Sequence, residues 1–211
     1  MKNIFKEGRK YTFSDYFEMG HPTAEIAAAL GYTFAIQTIA LPRSQNISPD
    51  ILEQVRSTYY ALVPKISLNS EIAKREVMIA PVLQTVIQGV NATLDIEYPL
   101  DVDEKLSGTI DYLFRSSQEL IVIEAKKGDL ERGFNQLAAE MIAIDKYEEQ
   151  SELGRIYGAI TIGEVWRFAV LERKQKRLIK DIHTFRFPED LPDIFSFLTG
   201  IITTQEQFTV E

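Results

Sequence analysis

Residues 107–140, SGTIDYLFRSSQELIVIEAKKGDLERGFNQLAAE, read as strand, turn, strand, turn and helix, and this order decides the fold. Positions 120–123, Leu-Ile-Val-Ile, are a continuous apolar run of the kind found in a strand covered on both faces. The run leads directly into Glu124, Ala125 and Lys126. Side chains alternate along a strand, so Glu124 and Lys126 are expected on one face and Ala125 on the other. Residues 109–114 are β-branched and aromatic, with Asp111 in their middle. Pairing of the two segments as a hairpin through 115–119 sets Asp111 beside Glu124. Two carboxylates and one ammonium then converge on one spot.

Such a set suits a hard divalent cation. Mg²⁺ takes oxygen ligands at about 2.0–2.1 Å and usually keeps waters and substrate phosphate oxygens in its remaining positions. A neighbouring lysine can orient the attacking water and offset charge that builds on a phosphate in the transition state. This is the layout of a phosphodiesterase. The competing reading is a surface hairpin whose Glu124 and Lys126 form an exposed pair worth about 0–1 kcal/mol. An upstream Asp in a strand-like segment and a following helix that carries Gln136 favour the site.

The pattern of Asp111, then Glu124-Ala125-Lys126, then Gln136 on the next helix resembles the PD-(D/E)XK nuclease superfamily. The run Glu71-Ile72-Ala73-Lys74-Arg75 through Pro81, with Ile110-Asp111-Tyr112-Leu113 and Ile123-Glu124-Ala125-Lys126-Lys127, resembles one branch of it. That branch is the nuclease domain at the N-terminus of type I restriction enzyme motor subunits. The resemblance covers about residues 69–170. Ile110 stands where the superfamily name has Pro, and Gln136 is followed four residues later by Glu140 rather than by Tyr. The resemblance implies a restriction-endonuclease-like α/β fold and metal-dependent cleavage of DNA. It assigns Asp111, Glu124, Lys126 and Gln136 to the catalytic site, with Glu76, Asp111 and Glu124 on the metal. Glu71 is the rival of Glu76 for the ligand borne on the preceding helix.

Composition bounds these readings. The chain has 211 residues, 45% hydrophobic and 26% charged, close to globular averages and long enough for one domain that buries about 70% of its surface. With no cysteine there is no disulfide, thiolate zinc site or cysteine nucleophile. His21 and His183 lie in unrelated segments, which makes a histidine-rich metal site or a histidine triad a poor candidate. A net charge of −8 argues against broad adhesion to DNA, although a local basic groove is compatible with it. No stretch reaches the ~18 apolar residues of a membrane helix, and the N-terminus has no signal-peptide core. The expectation is a soluble, cytoplasmic protein.

Along the chain, residues 24–30 predict a short helix closed by Gly31, and 32–41 a strand ended by Pro42. A helix with Pro49 at its first position runs to about Leu62. Tyr11, Phe13, Tyr16 and Phe17 read as packing rather than as a base-stacking platform. A longer helix spans 71–88 behind Asn69 or Ser70 as cap, with Ile72, Ile79, Leu83 and Val86 on its core face and Glu76 on or beside it. Pro81 is expected to bend or disrupt it. Residues 91–100 predict the first strand of the sheet. Asp129 caps a helix to about Tyr147 whose apolar stripe is Leu130, Phe134, Leu137, Met141 and Ile144, with Gln136 and Glu140 on another face. Gln136 either reaches the catalytic site or is simply solvated. Residues 156–161 and 165–171 predict a hairpin, 172–180 a charged turn or a phosphate-contacting loop, 181–187 an edge strand and 188–202 a closing helix.

The expected architecture is a three-layer core with a central mixed β-sheet flanked by helices, in a single domain. Residues 1–66 form an N-terminal helical and strand extension, 67–187 the nuclease-like core, and 188–211 a C-terminal helix and tail. The expected function is a divalent-metal-dependent DNA endonuclease with Mg²⁺ or Mn²⁺ as cofactor. The alternative is a catalytically silent module of the same fold that binds nucleic acid or protein. DNA is the expected partner, a homodimer is allowed, and no membrane is involved.

Overall fold

The computed structural model describes residues 4–45, 47–116, 120–125, 128–148 and 151–203, with backbone alone for 120–125. The β-branched and aromatic runs become strands where expected: β2 (Thr93–Asp101), β3 (Ser107–Arg115), β4 (Leu120–Ala125), β5 (Arg155–Thr161) and β6 (Val165–Glu172). They follow α1 (Phe13–Glu18), α2 (Thr23–Ala29), β1 (Thr33–Gln37), α3 (Pro49–Leu62), α4 (Glu71–Lys74) and α5 (Ala80–Gln88). Helix α6 (Leu130–Tyr147) connects β4 to β5, and β7 (Arg177–Asp181), β8 (Phe185–Arg186) and α7 (Leu191–Thr203) complete the described chain.

The fold is mixed α/β. Its sheet runs in the order β1-β7-β6-β5-β4-β3-β2, and β8 pairs with β6 beside β7. The β4–β5 and β1–β7 pairs are parallel and the rest antiparallel, so the sheet is mixed. Helix α6 supplies the crossover that a parallel β4–β5 pair requires. The β3–β4 hairpin is in the register Tyr112↔Ile123 and Phe114↔Ile121. The edge strand expected at 181–187 is shifted: β7 forms from Arg177–Asp181, and only Phe185–Arg186 pairs afterwards. The basic segment 172–180 is the end of β6, a turn and β7 rather than one loop.

Helices cover both faces. One core joins Phe13, Tyr16, Ile26, Leu113, Phe134, Met141 and Ile160 beneath α1, α2 and α6. The other joins Met78, Leu83, Tyr112, Phe114, Trp166, Phe168 and Ile201 beneath α5 and α7. Every residue of α6 from Gly133 to Asp145 is buried. A helix apolar on one stripe only would present its other side to water; α6 instead packs on β4 and β5 with one side and on α1 and α2 with the other. Residues 1–66 are therefore more than an extension. Tyr11, Phe13, Tyr16 and Ile26 are core residues, and β1 adds a strand to the sheet. Gly158 permits the close approach of α6, since a Cβ there would lie 2.5 Å from Met141 Sδ and 3.2 Å from Leu137 Cδ1.

Candidate functional site

The segment before β2 starts as an ordinary helix. Ser70 caps α4, its Oγ accepting from the Ala73 N–H at 3.1 Å. Pro81 then removes a donor and crowds the preceding turn, and the chain widens into a π-helical stretch, Arg75–Ile79, before α5 resumes with Pro81 in its first turn. This wider turn changes the helical phase. Ile79 is buried, whereas Ile72, expected on the same core face, is 72% exposed. Glu76, expected on or beside the buried face, is exposed. Arg75 is the residue the new phase turns inward.

The Arg75 guanidinium meets Glu97 Oε1 at 2.8 Å, Asp111 Oδ1 at 2.9 Å and, more loosely, Glu71 Oε1 at 3.7 Å. It also lies 5.8 Å from the centroid of the Tyr112 ring. Glu97 is in the left-handed region at φ +55°, an uncommon conformation for a residue other than glycine. Between the pairs Ile96↔Tyr112 and Tyr98↔Ile110, it stands across from Asp111. One step beyond Tyr112↔Ile123, the backbone of Glu124 stands across from Asp111 on the other side. Positions 97, 111 and 124 thus form one row across three adjacent strands. Glu124 also pairs in register with Ile160 of β5. The Glu124 side chain and all of Lys126 lie outside the described residues.

The electrostatics follow from this packing. Burial opposes the charge on Arg75, but Asp111 and Glu97 outweigh that cost and its pKa is raised. Burial pushes the Tyr112 hydroxyl up to about 12; Arg75 works against that shift, while Glu76, Asp111 and Glu97 add to it. Asp111 is largely buried, with 15% of its side chain exposed. Among the described residues, no three His, Cys, Asp or Glu side chains form a group that could hold a metal ion. The described side chains of that row, Asp111 and Glu97, nevertheless offer carboxylate oxygens, which suit a hard cation.

Gln136 is buried, at 3% exposure, which overturns its reading as a solvated residue. Its Nε2 donates to Glu140 Oε1 at 3.0 Å, and its own Oε1 has no partner among the described residues. Glu140 is fully buried beside it. The two lie on α6, which packs against β4 and β5.

A second polar cluster lies at the start of α6. Asp129 caps it, its Oδ1 accepting from the N–H groups of Glu131 and Arg132 at 3.0 Å each. Glu131 accepts from Lys180 Nζ at 2.5 Å and from Arg167 at 2.7 Å. Burial acts to raise the Glu131 carboxyl, yet the two cations outweigh it and its pKa is lowered. Asn135 accepts from Thr23 Oγ1 at 2.7 Å and donates to the His21 carbonyl at 3.1 Å, tying α2 and the turn before it to α6.

Sequence reasoning missed Arg75 and Glu97. The signal for Arg75 was Pro81, six residues later, whose disruption rotates the preceding turn. For Glu97 the register with Asp111 was the signal, and its left-handed backbone had none. Comparison of the chain with protein-family models and with curated proteins gave no match.

Proposed function

We propose that this chain is a divalent-metal-dependent DNA endonuclease of the restriction-endonuclease-like fold, with Mg²⁺ or Mn²⁺ as cofactor. The observation that supports this reading is the β3–β4 register, whose final pair, Tyr112↔Ile123, is one step from both Asp111 and Glu124. The order α5, β2, β3, β4, α6, β5, with β4 and β5 parallel, supports the same reading. Asp111 and Glu124 are the proposed metal ligands, with Glu76 or Glu71 assisting from the preceding helical segment. When bound, the cation supplies Lewis-acid stabilisation of the phosphate charge. Lys126 orients the attacking water, whose oxygen forms the new bond to phosphorus as one ester P–O bond breaks. Gln136 supports the site from α6, with a carbonyl oxygen free of described partners.

The test pairs binding with cleavage. Mn²⁺ is titrated calorimetrically into metal-free wild type, Asp111→Asn and Lys126→Ala, and each protein is then assayed on plasmid DNA with Mg²⁺. Metal binding lost with Asp111 and retained without Lys126, together with cleavage lost in both, is the expected result. Undiminished cleavage by purified Asp111→Asn would falsify the assignment.

A second reading is a silent module of the same fold that binds nucleic acid or protein. The Arg75–Asp111 contact favours it, because that carboxylate already has a cation. A melting curve separates the two: a metal that binds only the folded state stabilises by about 2.7 kcal/mol at one hundred times its dissociation constant. A melting temperature indifferent to Mn²⁺ favours the silent module.

A further inference from the structure

The facing carboxylates of β2 and β3, Glu97 and Asp111, already have a cation of their own. Arg75 reaches them from the π-helical turn, 2.9 Å from Asp111 Oδ1 and 2.8 Å from Glu97 Oε1. We propose that Arg75 is a built-in competitor for the metal position: it holds Asp111 in the metal-free protein and must release that carboxylate before a divalent cation can use it. This inference rests on the metal-dependent reading of the site.

Three observations carry it. First, the guanidinium has somewhere to go. Glu97 binds it through a separate contact and Glu71 stands at 3.7 Å, so giving up Asp111 leaves Arg75 paired rather than stranded. Second, its side chain is 17% exposed and rests near the Tyr112 ring, which keeps the charge close to the row after release. Third, it stands on a π-helical turn, a local irregularity that recurs at functional sites in proteins. Glu97, at φ +55° and with 61% of its side chain exposed, is the contact that Arg75 retains. Released from Asp111, Arg75 becomes a planar donor beside the substrate phosphate, a geometry that guanidinium serves well.

The experiment is a calorimetric Mn²⁺ titration of metal-free wild type, Arg75→Gln, Arg75→Lys and Asp111→Asn, each first shown to melt cooperatively. Removing a unit charge about 3 Å from the carboxylate is expected to tighten Mn²⁺ binding by Arg75→Gln roughly tenfold or more. Arg75→Lys keeps the charge and stays close to wild type. Arg75→Met retains the aliphatic stem near Tyr112 and reads the same quantity should the Gln variant fail to fold. Binding by Arg75→Gln no tighter than wild type, with Asp111→Asn still abolishing it, overturns the role of Arg75 and leaves the metal site standing. Absence of Mn²⁺ binding in every protein overturns both. A merely structural Arg75 would weaken metal binding when replaced, the opposite sign.

Discussion

Replacing Asp145 with alanine should unfold much of what holds the end of α6. Asp145 Oδ2 accepts from the Tyr32 hydroxyl at 2.6 Å, and Oδ1 from Arg173 Nε at 2.6 Å, with 9% and 7% of the Asp145 and Arg173 side chains exposed. Arg173 further donates to the backbone carbonyls of Asp145, Glu148, Ser151 and Leu153. Breaking a buried ion pair from one side costs about 3–5 kcal/mol, because the remaining charge stays buried without compensation. The Tyr32 hydroxyl also loses this acceptor, a hydrogen bond worth about 0.5–1.5 kcal/mol. The four surviving carbonyl acceptors offset part of this loss. The expected destabilisation of Asp145→Ala is therefore about 3–5 kcal/mol, a large share of the 5–15 kcal/mol typical of a domain. Urea denaturation at fixed pH reads it as a lower midpoint at unchanged slope. The apolar double variant Asp145→Leu with Arg173→Leu extends the test. Buried pairs elsewhere can be exchanged for apolar residues at little cost, but here that exchange strands four carbonyls, and the double variant should remain at least as unstable as the single one. A midpoint shift worth under about 1 kcal/mol for Asp145→Ala, well below the cost of an uncompensated buried charge, would refute the reasoning.

Gly200→Ala in α7 should destabilise by about 1–3 kcal/mol in spite of alanine's helix propensity. A Cβ there would lie 2.6 Å from the Pro42 carbonyl oxygen and 2.7 Å from Arg43 N, both backbone atoms that cannot turn aside. A melting temperature equal to wild type would contradict it. Glu131 titrates with a lowered pKa in the folded state, so its stabilisation is fully present above the unfolded value of about 4.5 and is lost as pH falls through the folded value. With 67% of the side chain exposed, the contribution is only about 0.2–1 kcal/mol after solvent screening. The stability gap between wild type and Glu131→Gln should close on acidification from pH 7 to pH 3, and a pH-independent gap would rule this out. Asp111→Asn should fold, losing about 1–3 kcal/mol by urea titration, because the pair is largely buried but Arg75 keeps Glu97 when Asp111 loses its charge. Failure of that variant to fold would show that Asp111 is structural first.

The elements around the hairpin were legible because their signals are local. The Leu-Ile-Val-Ile run, the Asp129 cap and the hairpin around Gly163 each depend on a few consecutive residues, and each formed as read. The β3–β4 pairing itself was legible, a symmetric hairpin running from Arg115↔Leu120 to Tyr112↔Ile123, one step short of Asp111 and Glu124. The role of the first 66 residues was less accessible, since it depends on partners far along the chain. Its one local sign was in α6, where Ala138, Ala139, Ile142 and Ala143 fill faces that the expected stripe left out. A helix apolar on every side needs a second layer, which α1 and α2 provide. Lys180 looked like part of a charged surface segment, yet it is buried against Glu131 and Phe134. The phase change before Pro81 was beyond reach for a different reason: proline announces that a helix must yield, but not in which direction its preceding turn will rotate.

Glu97 has a further consequence that concerns the rim of the sheet. Strand β2 lies at one end of the strand order and is nine residues long, so one of its sides offers backbone donors and acceptors that no described strand takes. A long, regular border of this kind is a template for adding a foreign strand and for amyloid-like growth. The left-handed backbone at Glu97 and the missing N–H of Pro99 interrupt that border near its middle, and the exposed carboxylate puts charge at the break. The residue that pairs with Arg75 thereby also breaks the regularity of the sheet's rim.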